Sequence, residues 1–145
     1  MKHFWIVIFF FTFASCEQIQ KKQYAEKVAQ QSCQEINQSL IEQASSLVPA
    51  VGKLLTDALV PDDIKNGGLC ECLKPTLQDA LQETYSIEDL KAMNENKAKR
   101  NKAALNIIFK RNKEILKCYE TKGLKGLKII EKFFKKILEK KDESV

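Results

Sequence analysis

From Ala25 the apolar positions fall at Ala25, Ala29, Cys33, Ile36, Leu40, Ala44 and Leu47, with Gln, Lys, Glu, Asn and Ser between them. Steps of three and four place them on one face of an α-helix. Pro49 interrupts the stripe, and "AVGKLLTDAL" predicts a short second helix. "VPDDIKNGG" combines Pro61, Asp62, Asp63 and a Gly pair, which predicts a loop. "LCECLKPTLQDALQETY" returns to helical spacing, and its Pro75 places either a helix start near Cys72 or a bend. In "YSIEDL", Ser86 can cap the first free amides of a helix, with Asp89 three residues on and acidic charge in the first turn. "NENKAKRNK" is polar all round, so it is a solvated helix or a break. Apolar spacing resumes at Ala104, Ile108, Ile115 and Tyr119, and a last helix covers about residues 122–141. No alternating stretch is long enough for a sheet, and Gly and Pro number only five and three. The expected fold is all-α: a small disulfide-linked bundle of four to five helices after a cleaved signal segment.

The opening "MKHFWIVIFFFTFASC" has one positive charge at Lys2, then an apolar run from Phe4 to Phe13. Ten residues are too few to cross a bilayer as a helix, which takes about 20. They fit the apolar part of a secretory leader followed by small residues. A leader at 1–15 and a single helical domain at 16–145 are therefore expected. Two cleavage points compete. Cutting after "TFA" suits an ordinary signal peptidase, whereas "FAS" before Cys16 has the form of a lipobox, with Phe13 where Leu or a β-branched residue usually stands. Parity favours the second. Five cysteines are an odd number, and acylating Cys16 leaves Cys33, Cys70, Cys72 and Cys118 as an even set.

Behind an export leader those four are expected to form disulfides. Residues two apart on a helix point about 200° from one another, so Cys70 and Cys72 are poorly placed to bond together. One is expected to reach Cys33 and the other Cys118, in either assignment. Each bridge closes a loop of about 35 to 50 residues, a stabilisation of roughly 3–4 kcal/mol in the chain-entropy model. A redox role for the "CEC" pair is the competing reading, and Glu71 between the sulfurs works against a thiolate.

Charge narrows the partner classes. The formal net charge is +5, yet Lys and Arg balance Asp and Glu at 15 each from Cys16 to Glu120, while the segment from Thr121 carries 8 against 4. A local excess of this kind does not predict nucleic acid as a partner. The single histidine, His3, lies in the leader, which leaves the rest of the chain without His-based triads, Cys–His nucleophiles or His-containing zinc sites. Asp62 and Asp63 read as a solvated turn. No catalytic residue, metal site or cofactor is expected, and the protein is read as a non-enzyme.

"GLKGLKIIEKFFKKILEKK" sets Leu124, Leu127, Ile130, Phe133, Phe134, Ile137 and Leu138 on one half of a helical wheel. Lys125, Lys128, Lys132, Lys135, Lys136 and Lys140 fill most of the other. That pattern suits the closing helix of the bundle. It also suits a membrane-surface helix, in which Lys125, Lys128, Lys132, Phe133, Phe134, Lys135 and Lys136 would meet a membrane or a partner. Core packing is the expected state.

The span from Cys33 through "CEC" and "YSIEDLKAM" to Cys118, behind a lipobox-like leader, resembles small exported bacterial lipoproteins of uncharacterised function. In them a Cys-x-Cys opens a helix and a Tyr-Ser-x-Glu-like turn follows. The resemblance implies an all-helical, disulfide-bonded domain held in the cell envelope and supplies no activity. Three functional readings follow. The first is a lipid-anchored envelope protein that binds another protein. The others are a secreted lipid-binding or membrane-active protein, and a thiol oxidoreductase using Cys70 and Cys72.

Overall fold

In the computed structural model of the chain, residues 2–46, 61–123 and 127–142 are described, with side chains at 15–42, 61–123, 128 and 130–139. Among the described residues the elements are α1 (Lys2–Ser46), α2 (Asp62–Lys65), α3 (Leu69–Thr84), α4 (Ile87–Glu95), α5 (Lys97–Lys122) and α6 (Leu127–Asp142), with no strand. The architecture is all-α, as the spacing of apolar positions requires.

The stripe beginning at Ala25 is the inner face of α1. Ala25, Val28, Ala29, Cys33, Ile36 and Leu40 are buried, and they pack chiefly on α3 and then on α4. The side chain of Ala44, Leu47 and the short helix expected in "AVGKLLTDAL" lie outside the described residues. Leu69, Leu73, Leu77 and Leu81 of α3 fill the centre, and Ile108, Ile115 and Tyr119 of α5 close it from the other side.

Three local features depart from the expectation or refine it. The expected loop at 61–68 contains a helical turn, α2, whose Ile64 is fully buried and anchors it to the core. The chain leaves that turn through Gly67, at φ +82°. At Gly68 a Cβ would stand 2.4 Å from the Asp63 carbonyl oxygen, so only glycine fits. Pro75 neither starts nor ends α3, which begins at Leu69. It is exposed, so the Glu71 carbonyl it deprives of a donor faces solvent, where hydration offsets the loss. The polar run at 94–102 is both a break and a helix. Asn96 ends α4 and caps α5, its Oδ1 accepting from the Lys99 amide at 3.1 Å.

Ser86 caps α4 as its sequence predicts. Its hydroxyl accepts from the Asp89 amide at 3.2 Å, and the Asp89 carboxylate accepts from the Ser86 amide at 3.2 Å. Helix α5 departs from helical geometry at Arg111 (φ −115°, ψ 19°) and ends at Gly123, which is left-handed at φ +64°. The chain then re-enters the bundle as α6.

Candidate functional site

The five cysteines divide into four that are bonded and one that is not. Cys33 of α1 is bonded to Cys70 of α3, with Cα atoms 5.6 Å apart, and Cys72 of α3 to Cys118 of α5, at 5.9 Å. Positions two apart at the start of α3 thus point to different neighbours, and Cys70 and Cys72 are not joined to each other. Around them the first turn of α3 is clamped further. The Tyr119 hydroxyl donates to the Leu69 carbonyl, and the Lys122 ammonium meets the Glu71 carboxylate at 2.9 Å. Burial pushes the Tyr119 phenol well above its ordinary pKa, and the nearby Glu71 charge adds to that. Glu71, between the two sulfurs, faces solvent and pairs with a lysine. This is a structural knot: both sulfurs of "CEC" are committed to separate bonds.

Cys16 is free and exposed. It lies on the same continuous helix as Cys33, and among the described side chains of α1 the first buried in the core is Ala25. Nine residues of helix at about 1.5 Å each put Cys16 roughly 13 Å along the axis before the bundle begins. Ile19 in that stretch keeps 57% of its surface in solvent. A group attached at Cys16 would meet no core contact.

Helix α6 is a core element. Ile130, Phe133 and Phe134 are buried, with the two rings 6.2 Å apart, and Ile137 packs at the edge. Lys128, Lys132, Lys135 and Lys136 face solvent, and Lys125 lies outside the described residues. Phe133 and Phe134 were the apolar half of the membrane or partner surface considered above. Phe134 is enclosed at 1% exposure and Phe133 keeps 7%, so the outward surface of this helix is carried by its lysines.

A polar seam that no periodicity announced crosses the bundle between α1, α4 and α5. Arg100 is 7% exposed; its guanidinium meets the Glu35 carboxylate at 2.5 Å and donates to the Met93 carbonyl at 2.9 Å. The second contact satisfies a carbonyl freed where α4 ends. In a window where every neighbour is polar, nothing distinguishes an inward arginine from an outward one. The signal would have been pairwise: a lone acid, Glu35, beside the apolar stripe of α1.

Beside this seam a shallow cleft of ≈ 460 Å³ opens between α1, α5 and α6, with Ile36, Leu105, Phe133 and Ile137 at its apolar side and Gln34, Gln38 and Asn101 among its polar ones. Its described lining offers amides, the Glu35 and Glu42 carboxylates, the Ser39 hydroxyl and the Lys97 ammonium for hydrogen bonding. Among the described residues no three His, Cys, Asp or Glu side chains converge as metal ligands, and no helix is long and apolar enough to cross a membrane. The two disulfides fit an extracellular or otherwise oxidising environment. The chain matches no protein-family model, no curated protein and no solved structure.

Proposed function

We propose that this protein is a non-enzymatic helical module of a bacterial cell envelope, tethered by lipid at Cys16 and presenting its bundle to a protein partner. The observation that carries the reading is the division of the cysteines. Four are consumed by two bonds that lock α1, α3 and α5, while Cys16 is unpaired and exposed nine residues ahead of Ala25, the first buried residue among the described side chains. An unpaired thiol is a liability in an oxidising compartment, and acylation removes it. The lipobox-like "FAS" before Cys16 and the apolar run from Phe4 to Phe13 supply the route.

The chemistry of the bundle supports binding over catalysis. The cleft beside α6 combines an apolar side with amides, carboxylates and a lysine suited to hydrogen bonding a partner, and Cys70 and Cys72 are held in separate bonds, an arrangement unsuited to a dithiol switch. Expressed with its leader in a bacterium that acylates lipoproteins, the protein is expected to partition into the detergent phase. Its N-terminal peptide should carry a diacylglyceryl mass on Cys16, and Cys16→Ser should return it to the aqueous phase. A mature N-terminus at Ser15, with Cys16 unmodified, would overturn the proposal.

A further inference from the structure

Residues 97–113 carry seven Lys or Arg and no Asp or Glu. The structure shows that two of the seven are engaged, Arg100 with Glu35 and Arg111 with Glu83 at 2.6 Å. Lys97, Lys99, Lys102, Lys110 and Lys113 are exposed, and among the described residues none has a carboxylate within ion-pair distance. Before the irregularity at Arg111, Lys99, Lys102 and Lys110 fall within an arc of roughly 80° at about 100° per residue. Leu105 and Phe109, one turn apart, border that arc at 40% and 39% exposure, among the most exposed large hydrophobic residues described. The outward face of α5 is therefore a cationic strip with no carboxylate in it and an apolar pair along its edge.

Helix α6 differs in both respects. Its exposed lysines are interleaved with Glu131 and Glu139, with Lys135 3.9 Å from Glu139, and its phenylalanines are buried. The apolar half of the α6 pattern, which also suited a membrane-surface helix, is used in the core. The run of exposed lysines with no acid among them is on α5.

We infer that the outward face of α5 is a docking surface for an anionic phospholipid membrane, with lysine ammonium groups on the headgroup phosphates and Leu105 and Phe109 at the headgroup–acyl boundary. Charge complementarity carries the choice of occupant. A strip of unpaired lysines attracts an anionic surface in a salt-dependent way. An exposed aliphatic–aromatic pair flanked by lysines is the combination by which interfacial helices gain burial as well as charge. The same strip would attract nucleic acid, but the two disulfides fit an oxidising compartment, where membrane phospholipid is the abundant polyanion. The inference does not require acylation, so it stands or falls separately from the tether at Cys16.

The test uses the oxidised full-length chain carrying Cys16→Ser, so that no acyl group contributes. The probes are sedimented vesicles of phosphatidylcholine alone and of phosphatidylcholine mixed with phosphatidylglycerol. The leader's apolar run is present in every arm, so the quantity read is the ratio of binding to the two compositions. That ratio is expected to exceed one clearly at low salt and to collapse at high salt. The triple change Lys102→Glu, Lys110→Glu and Lys113→Glu should lower it at least tenfold, since each lysine near an anionic surface contributes a several-fold factor. Leu105→Ser with Phe109→Ser should weaken binding to the anionic vesicles severalfold while the salt dependence persists. Circular dichroism and the absence of new free thiols show that these surface variants keep the fold. Equal binding to the two compositions overturns the inference. So does a triple variant that binds like its parent, or a loss of binding caused instead by Lys132→Glu, Lys135→Glu and Lys136→Glu on α6. Retention on nucleic acid with no retention on vesicles would replace lipid by a different partner.

Discussion

The start of α3 and the whole of α6 both hold the bundle closed, by opposite means. At the start of α3 two disulfides, the Tyr119 hydroxyl and the Glu71–Lys122 pair bind three helices within four residues of sequence. No disulfide reaches α6; among the described side chains it is held by Ile130, Phe133, Phe134 and Ile137, against α5 and the cleft beside α1. A disulfide acts mainly by limiting the unfolded ensemble, whereas apolar burial stabilises the native state directly. The two regions should therefore respond differently to reduction, truncation and pH.

The largest effect is expected from removing Gly123–Val145. Three buried large side chains, Ile130, Phe133 and Phe134, would be lost, each worth roughly 1.5–3 kcal/mol of burial. Together they approach the roughly 5–15 kcal/mol by which a domain is stable. The truncated chain should unfold or aggregate with both disulfides intact, read by circular dichroism and size exclusion. Phe134→Ala is the graded version, expected to cost about 3–5 kcal/mol in denaturant unfolding. A truncation with unchanged thermal stability would erase the distinction between the two regions.

Opening one bond at the covalent end should cost slightly less and leave a folded protein. The Cys72–Cys118 bridge spans 46 residues, for which the chain-entropy model gives about 4 kcal/mol. Replacing both cysteines by Ala avoids a stray thiol and isolates that term. If the α6 truncation proves milder than this pair, the covalent end dominates and the ranking is reversed.

The polar seam should rank next. Glu35→Ala leaves the Arg100 charge buried with only backbone carbonyls for company. Breaking a buried pair costs roughly 3–5 kcal/mol. The low end of about 3 kcal/mol is expected here because the Glu35 side chain keeps 24% exposure. Changing both partners, Glu35→Leu with Arg100→Met, should recover most of the loss. A double variant no better than the single one would show that Arg100 serves chiefly as the cap of α4.

Tyr119 gives the smallest effect and a clear sign. Its folded-state pKa is raised above the ordinary phenol value, mainly by burial. The folded protein therefore favours the neutral phenol. This stability is fully present below about pH 10, the value in the unfolded chain, and is lost as pH rises above it. Melting temperature should fall between about pH 9 and 11 more steeply in the parent than in Tyr119→Phe. Parallel curves would place the titrating group elsewhere.

Periodicity made most of the fold legible, because a helix repeats its burial every three or four residues and the repeat survives in "AEKVAQQSCQEI" and "LNIIFKRNKEIL". That Cys70 and Cys72 bond to separate partners followed from the same rotation per residue; which of them meets Cys33 did not. What escaped was pairwise or depended on packing. Arg100 points inward because Glu35 and the end of α4 are there, which no local pattern encodes. The turn at α2 forms because Ile64 finds a place in the core, overriding a composition that reads as loop. At the candidate membrane surface the same limit applied in reverse: "KIIEKFFKKIL" is so amphipathic that it drew attention to α6, while the exposed face of α5 looked like an ordinary solvated stretch.

The central claim is that four cysteines lock the bundle and the fifth carries its tether. Non-reducing peptide mapping of the exported protein with intact-mass measurement addresses this directly. The account predicts one cross-linked peptide containing Cys33 and Cys70, one containing Cys72 and Cys118, and an N-terminal peptide that begins at an acylated Cys16. A Cys70–Cys72 bond, or Cys16 found in a disulfide or as a free thiol on the mature chain, would contradict it.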